Sequence, residues 1–87
     1  MSRPDADTRA LLQHIAARLT IERPQHPMRA SLIAAMALTY ATRRHGYGTT
    51  RAEDAEAKLL ACLPALEAGW TRARYAKAVR EAAEDAE

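Results

Sequence analysis

Residues 50–71 read Thr50-Arg51-Ala52-Glu53-Asp54-Ala55-Glu56-Ala57-Lys58-Leu59-Leu60-Ala61-Cys62-Leu63-Pro64-Ala65-Leu66-Glu67-Ala68-Gly69-Trp70-Thr71. Thr50-Arg51-Ala52-Glu53 has the form of a capping box, in which the first hydroxyl and the acid three residues later satisfy each other's backbone donors. Asp54 and Glu56 add first-turn acids, which the positive end of a helix favours. Ala52, Ala55, Leu59, Cys62, Leu63 and Leu66 recur at three- and four-residue intervals and share one helical face. Pro64 lies on the opposite face, so the sequence predicts a kink near Leu60 rather than a stop, with a clean break into two short helices as the alternative. Gly69 ends the segment, and Thr71 can cap a further helix.

The same signals extend outward. A first helix is predicted from about Asp7 to Glu22, with Asp5 and Asp7 at its start and Leu11, Leu12, Ile15, Ala16 and Leu19 as its apolar stripe. Pro24 and Pro27 end it. A second helix is predicted from Pro27 to His45, with Met28, Leu32, Ile33, Met36 and Tyr40 on a large face and Ala30, Ala34, Ala37 and Ala41 on a small one. Apolar residues nearly all round predict burial on several sides, and Gly46 suits a left-handed C-cap. In the last helix Tyr75, Ala76, Val79, Ala82, Ala83 and Ala86 share a face. Valine occurs once and no run alternates, so the fold class is all-α. Short links favour antiparallel neighbours, hence a small up-down four-helix bundle with the third helix kinked at Pro64.

Eighty-seven residues make one helical domain, 1–87, with 1–6 and 85–87 expected to fray. The apolar fraction of 48% overstates the core, since about half of it is alanine and phenylalanine is missing. A core this light is marginal in so short a chain, and homodimerisation is the ordinary remedy. The single Cys62 excludes an internal disulfide and favours a reducing compartment. No run nears the ~18 apolar residues of a membrane span, so no membrane and a cytoplasmic location are expected.

Charge placement carries the functional reading. The last helix opens on Thr71-Arg72-Ala73-Arg74-Tyr75-Ala76-Lys77 and closes on Glu81, Glu84, Asp85 and Glu87, against its own dipole. Arg29 opens the second helix in the same unfavourable sense. An up-down bundle puts the first and third links at one pole, which would gather Arg23, His26, Arg29, Arg72 and Arg74, with Lys77 one turn on. Arginines around two helix N-termini suit phosphates or an acidic protein surface. The bland alternative is that Glu22 and Glu67 pair with these arginines, or that arginine stems cover alanine-rich surface.

A secondary candidate is the loop Arg43-Arg44-His45-Gly46-Tyr47-Gly48, where Arg43, Arg44 and Tyr47 could meet a base or a partner pocket. Against it, cations suit a helix C-terminus, and Tyr47 falls where a Schellman motif folds an apolar side chain back. Within residues 58–80, residues 66–71 also have the look of a helix-turn-helix turn, and Arg72, Arg74, Lys77 and Arg80 could reach phosphates, but Pro64 falls inside what should be an unbroken first helix and no Asn or Gln is placed to read adenine. No catalytic, metal or cofactor residues are predicted: His14, His26 and His45 lie apart, none at ligand spacing, and Cys62 has no adjacent base. The expected function is therefore a non-enzymatic regulatory, adaptor or inhibitor module of bacterial type that binds an acidic partner through its basic pole. The alternative is a nucleic-acid-binding regulator using residues 66–80.

Overall fold

The computed structural model describes residues 4–84. Four α-helices follow in order, α1 (Ala6–Ile21), α2 (Ala30–His45), α3 (Thr50–Cys62) and α4 (Arg72–Glu84), and no strand occurs among the described residues. They form the small all-α bundle expected. Helix α1 packs chiefly on α4 and α2 chiefly on α3, while α1 touches α2 and α3 more lightly. Asp7 at the start of α1 meets Arg44 and His45 at the end of α2, so those helices run antiparallel. Arg72 at the start of α4 reaches the Glu22 carbonyl just past α1, so this pair is antiparallel too.

The stripe foreseen on α1 is the core. Leu11, Leu12, Ile15, Ala16 and Leu19 are all buried, together with Tyr75, Ala76, Val79 and Ala83 of α4. From α2 come Met36, Ala37 and Ala41, and from α3 Ala52, Ala55 and Leu59. Small residues buried on both α2 and α3 allow those backbones a close approach. Helix α2 is less enclosed than its composition predicts: Ala30, Ala34, Ala35 and Leu38 face outward, because α3 covers only one of its sides.

Boundaries differ from the sequence reading at three points. Helix α3 stops at Cys62 instead of kinking at Pro64 and running to Leu66. Leu63, its C-cap, takes φ −66° and ψ 133°, the extended conformation that a following proline imposes by clashing with helical backbone. Neither a kink nor two short helices results; residues 63–71 form a non-helical link, and Leu63 and Leu66 are only partly buried. The cap of α3 is Thr49, whose Oγ1 accepts from the Ala52 N–H at 3.0 Å, so the capping box at Thr50 does not form. Helix α2 starts at Ala30 instead of Pro27, because Pro27 lies in an extended bridge with Thr71 and the chain stays extended through Arg29.

At the N-terminal end, Asp5 caps α1 by accepting from the Thr8 N–H at 2.7 Å, and Ala6 is already helical, so residues 5 and 6 belong to the ordered helix start. The expected fraying of 1–3 and 85–87, and the place of Ala86, lie outside the described residues. The Asp5 carboxyl is held down at about 2, first by the Thr8 backbone donor, then by the Thr8 hydroxyl and the Lys58 ammonium. Burial pushes the Asp7 carboxyl up, but hydrogen bonds with His45 and Arg44 outweigh this and keep it below its ordinary value.

In urea denaturation, Leu59→Ala is expected to cost about 2–5 kcal/mol and Leu63→Ala clearly less, since only the former is fully buried. Thr49→Ala should cost about 1 kcal/mol and Thr50→Ala close to nothing. Equal losses at 59 and 63 would contradict the end of α3. For Asp5, a folded pKa below the ordinary 3.8 means its stabilisation is complete above that value and is lost as pH falls toward about 2. Asp5→Asn keeps a capping side chain but does not titrate, so its stability should fall less steeply over that window than that of the unaltered chain.

Candidate functional site

The expected pole is built by backbone pairing between two links. Pro27 and Thr71 form an isolated antiparallel bridge. The Met28 N–H donates to the Trp70 carbonyl at 3.0 Å, and the Arg72 N–H to the His26 carbonyl at 2.8 Å. The Ala73 N–H donates to the Pro24 carbonyl at 2.9 Å. The N-termini of α2 and α4 therefore share one end of the molecule, alongside the C-terminus of α1.

These bonds change what that end can offer an anion. The first donors of α4 are occupied: Arg72 and Ala73 by carbonyls of the opposite link, and Arg74 by the Thr71 hydroxyl at 3.2 Å. Thr71 is thus the cap that the sequence predicts, and α4 has no spare N–H groups for a ligand. Helix α2 differs. Arg29 is its N-cap with no side-chain cap bond, and the first turn holds no acid. The Ala30 and Ser31 donors have no protein partner among the described residues.

The side chains follow several courses. Arg23, Arg29 and Lys77 are exposed. Arg74 stacks on Trp70 with its guanidinium carbon 4.2 Å from the ring centre, a contact that stabilises by cation–π attraction and fixes the side chain's direction. Arg72 is partly buried, its Nη1 3.4 Å from the Glu22 carbonyl and its Nε enclosed with no partner. Glu22, Arg23 and Arg72 line one surface depression. Glu22 gives its carboxylate to Arg18, at 2.9 Å, rather than to Arg23 or Arg72. Among the described residues, none of Arg23, Arg29, Arg72, Arg74 and Lys77 makes an ion pair; the ion pairs lie at Arg18–Glu22, Arg44–Asp7, His45–Asp7 and Lys58–Asp5.

Arg23 adopts φ +49°, the left-handed conformation usually left to glycine after a helix. The cost is about 1–2 kcal/mol for a residue with a Cβ. Tyr75 adjoins the pole from the inside: fully buried, it donates its hydroxyl to the Pro64 carbonyl at 2.7 Å, and burial pushes its pKa up to about 12. It anchors the 63–71 link against α4.

In the secondary candidate the two arginines are engaged within the chain while Tyr47 is free. Arg44 pairs with Asp7, and Arg43 lies over the Tyr40 ring, 5.8 Å from its centre. Tyr47 is 90% exposed and does not fold back on α2, because Gly46 takes φ 94° and ψ 137° rather than the left-handed helical pair a Schellman turn needs. The stretch 58–80 does not form a helix-turn-helix, since the link at 63–71 is longer than the three or four residues of that turn and α3 packs on α2 while α4 packs on α1. No group of His, Cys, Asp and Glu among the described residues could hold a metal ion, and no described helix is long and apolar enough to cross a membrane.

One feature the sequence reading missed is a cleft of about 190 Å³ between α1 and α2, floored by Leu19, Leu32, Met36 and Tyr40 and edged by Arg18, Glu22, Arg43 and Arg72. Its signal is the large apolar face of α2, Leu32, Met36 and Tyr40, which reads equally well as core. No protein-family model, curated protein or solved structure matches the chain.

Arg23→Gly should raise stability by about 0.5–1 kcal/mol in thermal denaturation, because relief of the positive φ exceeds the added chain entropy of glycine. A loss of stability would mean that the Arg23 side chain, not its position, holds this turn.

Proposed function

We propose that this chain is a non-enzymatic regulatory or adaptor module that binds an acidic partner surface through Arg23, Arg29, Arg72, Arg74 and Lys77. The observation carrying the reading is that these cations surround the paired links without a carboxylate of their own, while the described ion pairs sit elsewhere. Reversed charges at two helix starts cost stability, and a partner's carboxylates would recover it. Arg74, aligned on Trp70, presents a planar donor set suited to such a group. On this reading the chain works in the cytoplasm, as a homodimer that covers outward-facing Leu38 and Leu60.

A second reading, binding to nucleic acid phosphates, draws on the same cations with Arg80, although Arg80 already donates to the Thr20 hydroxyl at 2.7 Å. The two separate by salt. A labelled oligoglutamate peptide and a duplex DNA of random sequence are titrated over a range of ionic strengths. The acidic-partner reading expects measurable peptide binding with a shallow salt slope, weakened severalfold in Arg29→Ala/Arg74→Ala. Tight DNA binding with a steep slope would transfer the assignment to nucleic acid. Peptide binding indifferent to those substitutions would remove the pole from either. Light scattering on the same samples gives the mass, and a monomer would remove the dimer.

A further inference from the structure

We propose that the cleft between α1 and α2 receives an amphipathic, acid-flanked helix of a partner protein. This rests on the reading that the partner is acidic, and names its shape. The cleft exists because α1 is covered by α4 and α2 by α3, leaving the seam between α1 and α2 only lightly closed. Its floor is apolar, with Leu19 contributed by α1 and Leu32, Met36 and Tyr40 by α2. From Leu32 to Arg43 the α2 wall runs about three helical turns, the reach of apolar anchors at i, i+3 or i+4 and i+7 on a docked helix.

The edges are positive. Glu22 also lines the cleft, but its carboxylate is engaged by Arg18, and Arg43 and Arg72 make no ion pair among the described residues. Arg43 is steadied over Tyr40, and the enclosed Nε of Arg72 has no acceptor. One arginine stands at each end of the groove, so a helix lying along it with carboxylates flanking its apolar stripe would meet a cation at both ends. A volume of about 190 Å³ is small beside the roughly 300–1,000 Å³ of small-molecule sites. It suits one or two side chains of a helix whose remaining surface stays in solvent. Along α1 the same wall continues past His14 and Ala17 to Ile21, 77% exposed, which would extend the apolar contact.

The test is selection from a displayed library of helical peptides, randomised on one face, against the whole protein. Recovered peptides should carry apolar residues at helical spacing with Asp or Glu beside them. Their affinity should fall about tenfold or more in Ala35→Arg, which fills the cleft from an exposed position, and again in Arg43→Glu, which reverses one edge. Circular dichroism and melting temperature confirm that both variants stay folded. Binders that tolerate Ala35→Arg, or carry no acidic bias, overturn the proposal, as does a library that yields none. Acidic binders lost on Arg23→Ala/Arg74→Ala but kept in Ala35→Arg would leave the acidic partner and move it to the pole. If Ala35→Arg instead halves the mass of the protein in solution, the cleft is an interface between two copies and the proposal falls.

Discussion

Three backbone hydrogen bonds between residues 24–28 and 70–73 hold the arrangement together. They join the link after α1 to the link before α4, from Met28 to Trp70, Arg72 to His26 and Ala73 to Pro24. Each contributes only about 0.5–1.5 kcal/mol net. Their effect is larger than that sum, because they set where two helices begin and which ends meet. The pairing holds Pro27 extended against Thr71, so α2 begins only at Ala30, and the carbonyls of Pro24 and His26 take up the donors that α4 would otherwise expose. Tyr75 adds a fourth tie from inside, through the Pro64 carbonyl.

This clasp explains how α4 tolerates arginines in its first turn. A bare helix start would repel them, but here two carbonyl oxygens and the Thr71 hydroxyl face the same end. Their negative dipole ends offset part of the macrodipole. Arg74 gains a ring to lie on and Arg72 a carbonyl to approach. So the charges are partly accommodated by the fold, as the plain alternative of covered surface requires, yet none is neutralised by an acid among the described residues. Helix α2 lacks such compensation: Arg29 caps nothing with its side chain. The unbalanced electrostatics of this end therefore concentrate at Arg23, Arg29 and the start of α2, more than at α4.

Much of the fold is legible residue by residue. The α1 stripe, the Thr71 cap and the antiparallel order follow from spacing and short links, all local properties. The end of α3 is hard to read from sequence because a leucine stripe continues past Pro64, while the extended backbone that proline demands of Leu63 leaves no mark on that periodicity. Thr49 and Thr50 are neighbouring hydroxyls of similar capping value, and sequence alone favours the one with Glu53 downstream. A fold-back of Tyr47 fits the sequence, but the ψ of Gly46 points the chain outward.

Four helices, their apolar faces and the gathering of like charges at two helix starts are readable along the chain, because they depend on spacing within it. That two links pair edge to edge, that the donors of α4 are consumed there, and that α1 and α2 are left with an arginine-edged cleft emerge only on folding. Those outcomes depend on which helix covers which: α4 on α1 and α3 on α2. Leu32, Met36 and Tyr40 carry the same periodic pattern whether a neighbouring helix covers them or solvent does, so only the placement of the other helices distinguishes a core from a groove.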